Sequence, residues 1–140
     1  MAQRYVFSRC SIELADGWTA EPRAEVIAGE RCAYVAIVAT TRDALLRLTP
    51  DERGLMEAVA WVDLVGRINR AKGRLVSATR CGDFAGIIMA FTACEDWIRG
   101  WALSADALPL DITYRCKVED AGRDDPVVDG MLNTLRLEYR

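Results

Sequence analysis

Four strand-like segments follow one another in the second half of the chain, and they constrain the fold more than any other feature. Each is rich in β-branched, aromatic or other apolar residues and ends at a turn-forming cluster. The loops between them are too short for the crossover of about a dozen residues that parallel neighbours need. The sequence therefore predicts an antiparallel meander. Its strands are Leu75–Cys81, Ala85–Cys94, Trp97–Leu103 and Leu110–Val118.

Three further strands are predicted in the first half of the chain. Residues Arg4–Leu14 alternate between apolar and polar side chains, which is typical of one strand with a single buried face. Ala15–Gly17 then forms a tight turn, because its Asp-Gly pair supplies the positive φ that a reversal needs. Pro22 indicates that residues Thr19–Gly29 form an edge strand or a loop. Cys32–Thr41 is almost entirely apolar, which predicts a central strand covered on both faces.

A long helix is predicted between these two groups of strands. Thr49, Pro50 and Glu52 have the spacing of a capping box with proline at the first helical position. Gly73 ends the helix. Apolar residues recur at helical spacing along one face. This stripe consists of Ala58, Trp61, Val62, Val65 and Ile68.

A second, short helix is predicted near the C-terminus. Asp125 serves as its N-cap and Pro126 as its first residue. The predicted fold class is therefore α+β, with a single domain over residues 1–140. It has a twisted, mainly antiparallel sheet in the order β-β-β-α-β-β-β-β-α and two helices packed on it. The apolar face of the second helix consists of Val128, Met131, Leu132 and Leu135.

The chemistry open to the chain is limited, because it has no histidine. General-base, triad and zinc chemistry draw heavily on that residue. The five cysteines lack C-x-x-C spacing, so neither a metal site nor a redox pair is predicted. We predict no cofactor and no enzymatic activity, with five reduced thiols serving as small buried side chains. Cys81, next to Arg80, is the one candidate nucleophile for a thiol enzyme.

Charge and hydropathy argue for an intracellular protein. The net charge of −3 does not supply the concentrated basic field of a nucleic-acid binder. No stretch approaches the roughly 18 apolar residues of a membrane span, and the first residues lack the apolar run of a signal peptide. We therefore predict a cytoplasmic protein that binds neither nucleic acid nor membrane.

One candidate for partner binding is a strand that carries two tryptophans and an arginine. Trp97, Arg99 and Trp101 share one face, because side chains alternate along a strand. If that face is exposed, the two indoles and the guanidinium form a stacked platform for a peptide or another ligand. The alternative is that the face lies under a helix, with both indoles in the core.

A second candidate is the acidic loop that precedes the last helix. It offers the carboxylates of Glu119, Asp120 and Asp124. It is either an acidic docking edge for a basic partner or simply a helix N-terminus, where acidic residues favour the helix dipole.

Two stretches of the chain resemble the PsbP-like superfamily. Ser11–Trp18 is similar to its opening strand, turn and Gly-Trp pair, and Ile112–Cys116, an acidic loop and the helix at Val128–Leu135 are similar to its ending. The superfamily includes the photosystem II extrinsic subunit P, a Ran-binding transport factor, the DcrB lipoproteins and chaperones of type VI secretion effectors. The resemblance implies a twisted antiparallel sheet and a largely non-enzymatic, protein-binding role. The chain departs from the DcrB pattern, because it has no lipid-attachment cysteine.

The leading functional hypothesis is a protein-binding module, in concrete terms an immunity protein or effector-specific chaperone of a bacterial toxin or secretion system. Its partner would be a toxin or secreted effector, and a basic one suits an acidic chain; a homodimer stays open. The alternative is a small-ligand or lipid-binding domain. Its pocket would lie between the sheet and the Thr49–Lys72 helix, lined by Trp61, Met89 and Trp101. The third hypothesis is a thiol enzyme.

Overall fold

The structure is a computed structural model that describes residues 3–27, 29–50 and 75–138. The described residues form ten β-strands, one α-helix and one turn of 3-10 helix at Val118–Asp120. The helix is α1 (Asp125–Leu132). The strands are β1 (Gln3–Phe7), β2 (Cys10–Leu14), β3 (Trp18–Ile27), β4 (Glu30–Ala39), β5 (Ala44–Pro50), β6 (Leu75–Cys81), β7 (Phe84–Ala93), β8 (Asp96–Ala105), β9 (Leu108–Lys117) and β10 (Arg136–Leu137).

The strands form two antiparallel sheets. The larger has seven strands in the order β3-β4-β5-β9-β8-β7-β6, and the smaller has three in the order β1-β2-β10. Strands β6 to β9 are consecutive hairpins, as the short loops between them predicted. The prediction of a mainly antiparallel sheet is thus confirmed, and the four meander strands lie within two residues of their predicted bounds.

The prediction of two helices is not what the described residues show, since they form a mainly-β structure with one short helix. Thr49 and Pro50, predicted as N-cap and first helical residue, lie in β5 and pair with Asp111 and Leu110. Their capping spacing is overridden because a neighbouring strand supplies backbone partners. The rest of the predicted helix, residues 51–72, lies outside the described residues.

The N-terminal prediction of one strand over Arg4–Leu14 is wrong. The chain reverses after Phe7, and Phe7 pairs with Cys10 to close the β1–β2 hairpin. Ser8 has a φ of 52°, which is the left-handed conformation that such tight turns require. The alternation changes phase at the polar pair Ser8-Arg9, from odd-numbered apolar positions at Tyr5 and Phe7 to even-numbered ones from Cys10 onwards, because the turn separates two strands.

Other predictions for the first half are confirmed. Gly17 adopts a φ of 84° in the turn after β2, and the Trp18 N–H donates to the Ala15 carbonyl at 3.1 Å. Strand β3 lies at the edge of the seven-stranded sheet, as Pro22 indicated. Strand β4 is next to it, and side chains from both of its faces are buried around Ile37.

The core lies between the two sheets. One face of the seven-stranded sheet, called here the inner face, packs against the three-stranded sheet and α1 in a single apolar cluster. The opposite, outer face carries a smaller cluster around Met89. The predicted apolar face of α1 is confirmed, because Val128, Met131 and Leu132 are buried and Leu135 follows them into the core. The largest fully buried side chains of the inner cluster include Trp101, Tyr114, Phe84, Ile12, Ile37 and Leu46.

Candidate interaction surfaces

The predicted tryptophan–arginine platform faces inwards. Trp101 is fully buried, and Arg99 is only 8% exposed. The Arg99 guanidinium lies 4.7 Å from the Trp101 ring centroid, and it donates to Asp129 at 2.8 Å and to Asp125 at 3.3 Å. Both acceptors lie on α1, so the helix covers this face. The cation–π pair therefore forms, but it holds α1 on the sheet and presents no platform to a partner.

Trp97 lies at the margin of the same buried face. It is half-buried, packs against the inner cluster and pairs with Thr92 and Cys116 on the neighbouring strands. Its indole N–H has no hydrogen-bond partner among the described residues, although the nitrogen is buried. One unpartnered donor does not define a ligand, so Trp97 contributes packing to this surface.

Asp124 is the most buried carboxylate of the acidic loop. It is 1% exposed and accepts a hydrogen bond from the buried Tyr114 hydroxyl at 2.7 Å. Arg42, in the loop before β5, also pairs with it, its Nε donating at 3.0 Å to Oδ2. Asp124 occupies the N-cap position of α1, one residue before the predicted cap, but its side chain makes no capping bond. Its carboxylate instead fastens the start of α1 to two distant parts of the chain.

The pKa values of this group follow from the same contacts. Burial alone would raise the pKa of Asp124, but the hydrogen bonds from Arg42 and Tyr114 outweigh it, so the pKa lies below the ordinary value. Burial and the bond to Asp124 raise the pKa of Tyr114. Asp124 therefore stays ionised and Tyr114 stays protonated, which is the charge-assisted arrangement of greatest strength.

Glu119 and Asp120 are more exposed to solvent than Asp124. Glu119 is exposed, whereas Asp120 is half-buried and lies 3.5 Å from the Arg123 guanidinium. The three acidic residues predicted as one docking edge are thus split between the surface and the interior. Because Asp124 is buried, it cannot contact a partner.

The predicted ligand pocket is corrected by the strand register. Trp101 lies opposite Ile88, whereas Met89 lies opposite Gly100, so the two predicted lining residues point to opposite faces of the sheet. Trp61, the third residue, lies outside the described residues. Trp101 belongs to the inner cluster and Met89 to the outer one, and a single pocket cannot include both.

The cysteines divide into three environments, all as free thiols. Cys10, Cys81 and Cys116 are buried, Cys32 is half-buried and Cys94 is exposed in a turn. The prediction of five buried thiols is therefore right for three of them. Burial raises the pKa of the Cys81 thiol, which disfavours the thiolate that a nucleophile requires.

Treating the folded protein with an aromatic disulfide reagent at neutral pH is expected to modify Cys94 first. Cys81 should react only as the protein unfolds, because its thiol is both buried and protonated. Absorbance at the leaving-group wavelength measures the rates, and a Cys94→Ser variant should lack the fast phase. Fast, selective modification of Cys81 would contradict this assignment and revive the thiol-enzyme hypothesis.

One candidate surface was not predicted as a site, although Pro22 indicated the edge strand that forms it: the side of β3 that has no neighbouring strand among the described residues. The Thr40 N–H donates to the Gly17 carbonyl at 2.8 Å, just beyond the start of β3. Hydrogen-bonded pairs alternate along an antiparallel ladder. Trp18 lies opposite Ala39, and the register continues from there along β3. The odd-numbered residues of β3 therefore bond to β4, and the backbone N–H and C=O groups of the even-numbered residues point away from it. Pro22 falls in this outward set, where its missing N–H costs the ladder nothing.

The half of β3 that follows Ala20 extends beyond the core. Glu21 to Ala24 are exposed, and so is Val26, at 73% the most exposed large apolar residue of those described. The pairing segment of β4, residues 30–34, is exposed or half-buried. Within the part of the chain that the structure describes, the edge therefore combines backbone groups that no strand pairs, apolar side chains and solvent access.

A groove lies beside this edge, between the β1–β2 hairpin and the inner face of the larger sheet. Its volume is about 330 Å³. The rings of Tyr5 and Phe7 stack in its wall, with centroids 6.2 Å apart. Apolar residues dominate the lining, which includes Val6, Pro22, Val35 and Pro50.

Neither the protein-family models nor the curated protein sequences contain a match to the chain. Within the described residues no helix is long and apolar enough to cross a membrane.

Proposed function

We propose that the chain is a non-enzymatic protein-binding module, and that it binds an extended segment of its partner along the open edge of β3. The observation that carries the proposal is the half of edge strand β3 that follows Ala20, which is largely exposed and whose outward backbone groups pair with no other strand among the described residues. When a peptide adds as a strand to such an edge, main-chain hydrogen bonds provide the affinity. Every second side chain of the peptide contacts the protein and provides the specificity.

The chemistry beside the edge supports this mode of binding. A long open edge is a liability that proteins usually shorten, cover or protect with charge. Here Pro22 removes one donor, but Ala20, Ala24 and Val26 keep their outward N–H groups. The neighbouring apolar groove is large enough to take one or two side chains of an added strand.

The class of partner follows from the predictions drawn from the sequence. The acidic balance of the chain suits a basic toxin or secreted effector, with the cytoplasmic chain as its immunity protein or chaperone. The resemblance to PsbP-like proteins supports binding in place of catalysis. Exposed Glu119 adds a negative charge, but the edge is the element that we expect to select the partner.

A displayed library of ten-residue peptides, panned on the whole protein, tests the proposal. Enriched peptides should bind wild type and lose about tenfold or more in affinity for Ala24→Pro, which removes one outward N–H. The matched control is Ala78→Pro. Ala78 is an exposed residue of β6, the opposite edge of the same sheet. Cys81 pairs with Phe84 where the β6–β7 hairpin closes, so the odd-numbered residues of β6 bond to β7 and the backbone N–H of Ala78 points away from it.

Binding should also slow hydrogen exchange at the outward amides of β3. Enriched peptides that bind wild type and Ala24→Pro equally would overturn the proposal, as would a library that yields no binder. If the peptides lost affinity for Ala78→Pro and kept it for Ala24→Pro, the binding site would lie on the β6 edge, which also contradicts the proposal.

A further inference from the structure

We infer that the β3 edge pairs with the β3 edge of a second copy of this chain, antiparallel and about a two-fold axis at Ala24. The inference rests on the proposed function, because it uses the same edge, and it names a partner that the edge fits. A closed two-fold pairing is the commonest form of homo-oligomer and joins identical patches. The two seven-stranded sheets would become one continuous sheet.

Backbone hydrogen bonding restricts how the β3 strands of the two copies can be aligned. Hydrogen bonds across the axis require outward-facing residues of one copy to lie opposite outward-facing residues of the other, so even-numbered residues must pair with even-numbered ones. The axis therefore passes through a single residue of β3. Pro22, Arg23, Ala24 and Glu25 are the central candidates.

The side chains select among these four registers. An axis at Arg23 places that cation opposite itself and Glu21 opposite Glu25, and an axis at Glu25 places that carboxylate opposite itself. Like charges directly opposite each other destabilise a strand pair. An axis at Pro22 puts two residues without N–H groups at the centre of the interface.

The axis at Ala24 is complementary on both faces, and it pairs only residues that follow Ala20, the half of β3 that extends beyond the core. On the outer face, Arg23 of each copy lies opposite Glu25 of the other, which creates two opposite-charge pairs. On the inner face, Ala24 meets Ala24 and Pro22 meets Val26. This register therefore covers the most exposed large apolar side chain of the described residues with an apolar partner.

The existing ion pairs of these residues are compatible with the interface. Arg23 already bonds Glu21 of its own strand, and Glu25 bonds Arg47 through one carboxylate oxygen. Both side chains nevertheless remain about 40% exposed. The pairs fix the two side chains along the outer face, so less conformational entropy is lost when the second copy binds.

A charge-swap experiment on the full chain tests the register. Sedimentation velocity over a concentration series gives the dimer dissociation constant of wild type, Arg23→Glu, Glu25→Arg and the double variant. Each single change places like charges opposite each other twice, so the constant should rise about tenfold or more. The double variant restores both opposite-charge pairs and should return to within about threefold of wild type.

A disulfide provides a second measurement that does not depend on those charges. Paired strands bring the two Ala24 Cα atoms to about 5.5 Å, a distance that a disulfide spans. In a Cys94→Ser background, Ala24→Cys should form a covalent dimer on mild oxidation, and Ala78→Cys on the opposite edge should not. Circular dichroism confirms that each variant is folded.

The outcomes separate this inference from the proposed function. A wild-type protein that stays monomeric at about 1 mM overturns the dimer, and the proposed function stands if library peptides still bind at β3. Failure of the double variant to recover overturns the register. The remaining outcome is a dimer that the single variants weaken and the double variant restores, in a protein whose β3 edge binds no library peptide. That result supports the inference and overturns the proposed binding of segments from other proteins.

Discussion

Replacing Asp124 by alanine is expected to lower the free energy of unfolding by about 3–5 kcal/mol. The variant leaves the Arg42 guanidinium without its buried counter-charge and the buried Tyr114 hydroxyl without its acceptor. Removing the buried carboxylate costs more than the pair contributes, because the buried Tyr114 hydroxyl stays desolvated and the half-buried Arg42 guanidinium is only partly open to water. The start of α1 would also lose its attachment to β9 and to the loop before β5.

Urea unfolding monitored by circular dichroism measures this effect, with Asp120→Ala as the control. Asp120 lies in the same loop, but its ion pair with Arg123 is largely solvent-exposed, so its loss should cost less than about 1 kcal/mol. Equal losses for the two variants would show that the buried network does not stabilise the fold.

The same network makes a pH prediction with a definite sign. The pKa of Asp124 is lowered in the folded state, so its contribution to stability is complete above the ordinary carboxyl pKa of about 3.9. It is lost as the pH falls through the lower, folded pKa. Asp124→Asn keeps the shape of the side chain and cannot titrate. Its stability should therefore fall less steeply than that of wild type below about pH 4.

The second large effect is expected from Gly86→Ala, near the start of β7. A Cβ at this position would lie 1.9 Å from the Ala102 carbonyl oxygen and 2.9 Å from its carbon, both in the backbone of β8. Backbone cannot rotate away as a side chain can, so β7 and β8 must separate. We expect a loss of about 3 kcal/mol or more in the free energy of unfolding.

Gly130→Ala is the matched control, because it makes the same chemical change. Gly130 lies inside α1, and a Cβ added there would meet no described atom within 4 Å outside the backbone of its own helix. Alanine is the better helix former, so this variant should gain up to about 1 kcal/mol. Denaturant midpoints with unchanged slopes give both values. A neutral Gly86→Ala would mean that β7 and β8 are not so closely packed at this position.

Much of the second half of the fold was predictable because its signals are local. Gly82-Asp83 and the other short turns force consecutive strands to pair with each other, and no distant segment has to be known. The acidic start and apolar face of α1 are local for the same reason. The first half carried weaker signals: the change of phase at Ser8-Arg9 is the local sign that Arg4–Leu14 forms a hairpin and not one strand.

The candidate surfaces were less predictable, because exposure depends on what packs on each face. The alternation of Trp97, Arg99 and Trp101 correctly predicted that they share a face, and the structure shows that α1 covers it through Asp125 and Asp129. The buried state of Asp124 depends on Arg42, 82 residues away in the chain. No pattern within the acidic loop could indicate that contact.

The sequence by itself determined turns, alternation and the edge character of β3, since each depends on neighbouring residues and on the missing N–H of Pro22. Tertiary structure alone decided that Thr49 and Pro50 join a strand, because their partners Asp111 and Leu110 lie on a strand that is distant in the chain. It also decided which face and which edge remain open, because burial is a property of the segments that meet in space.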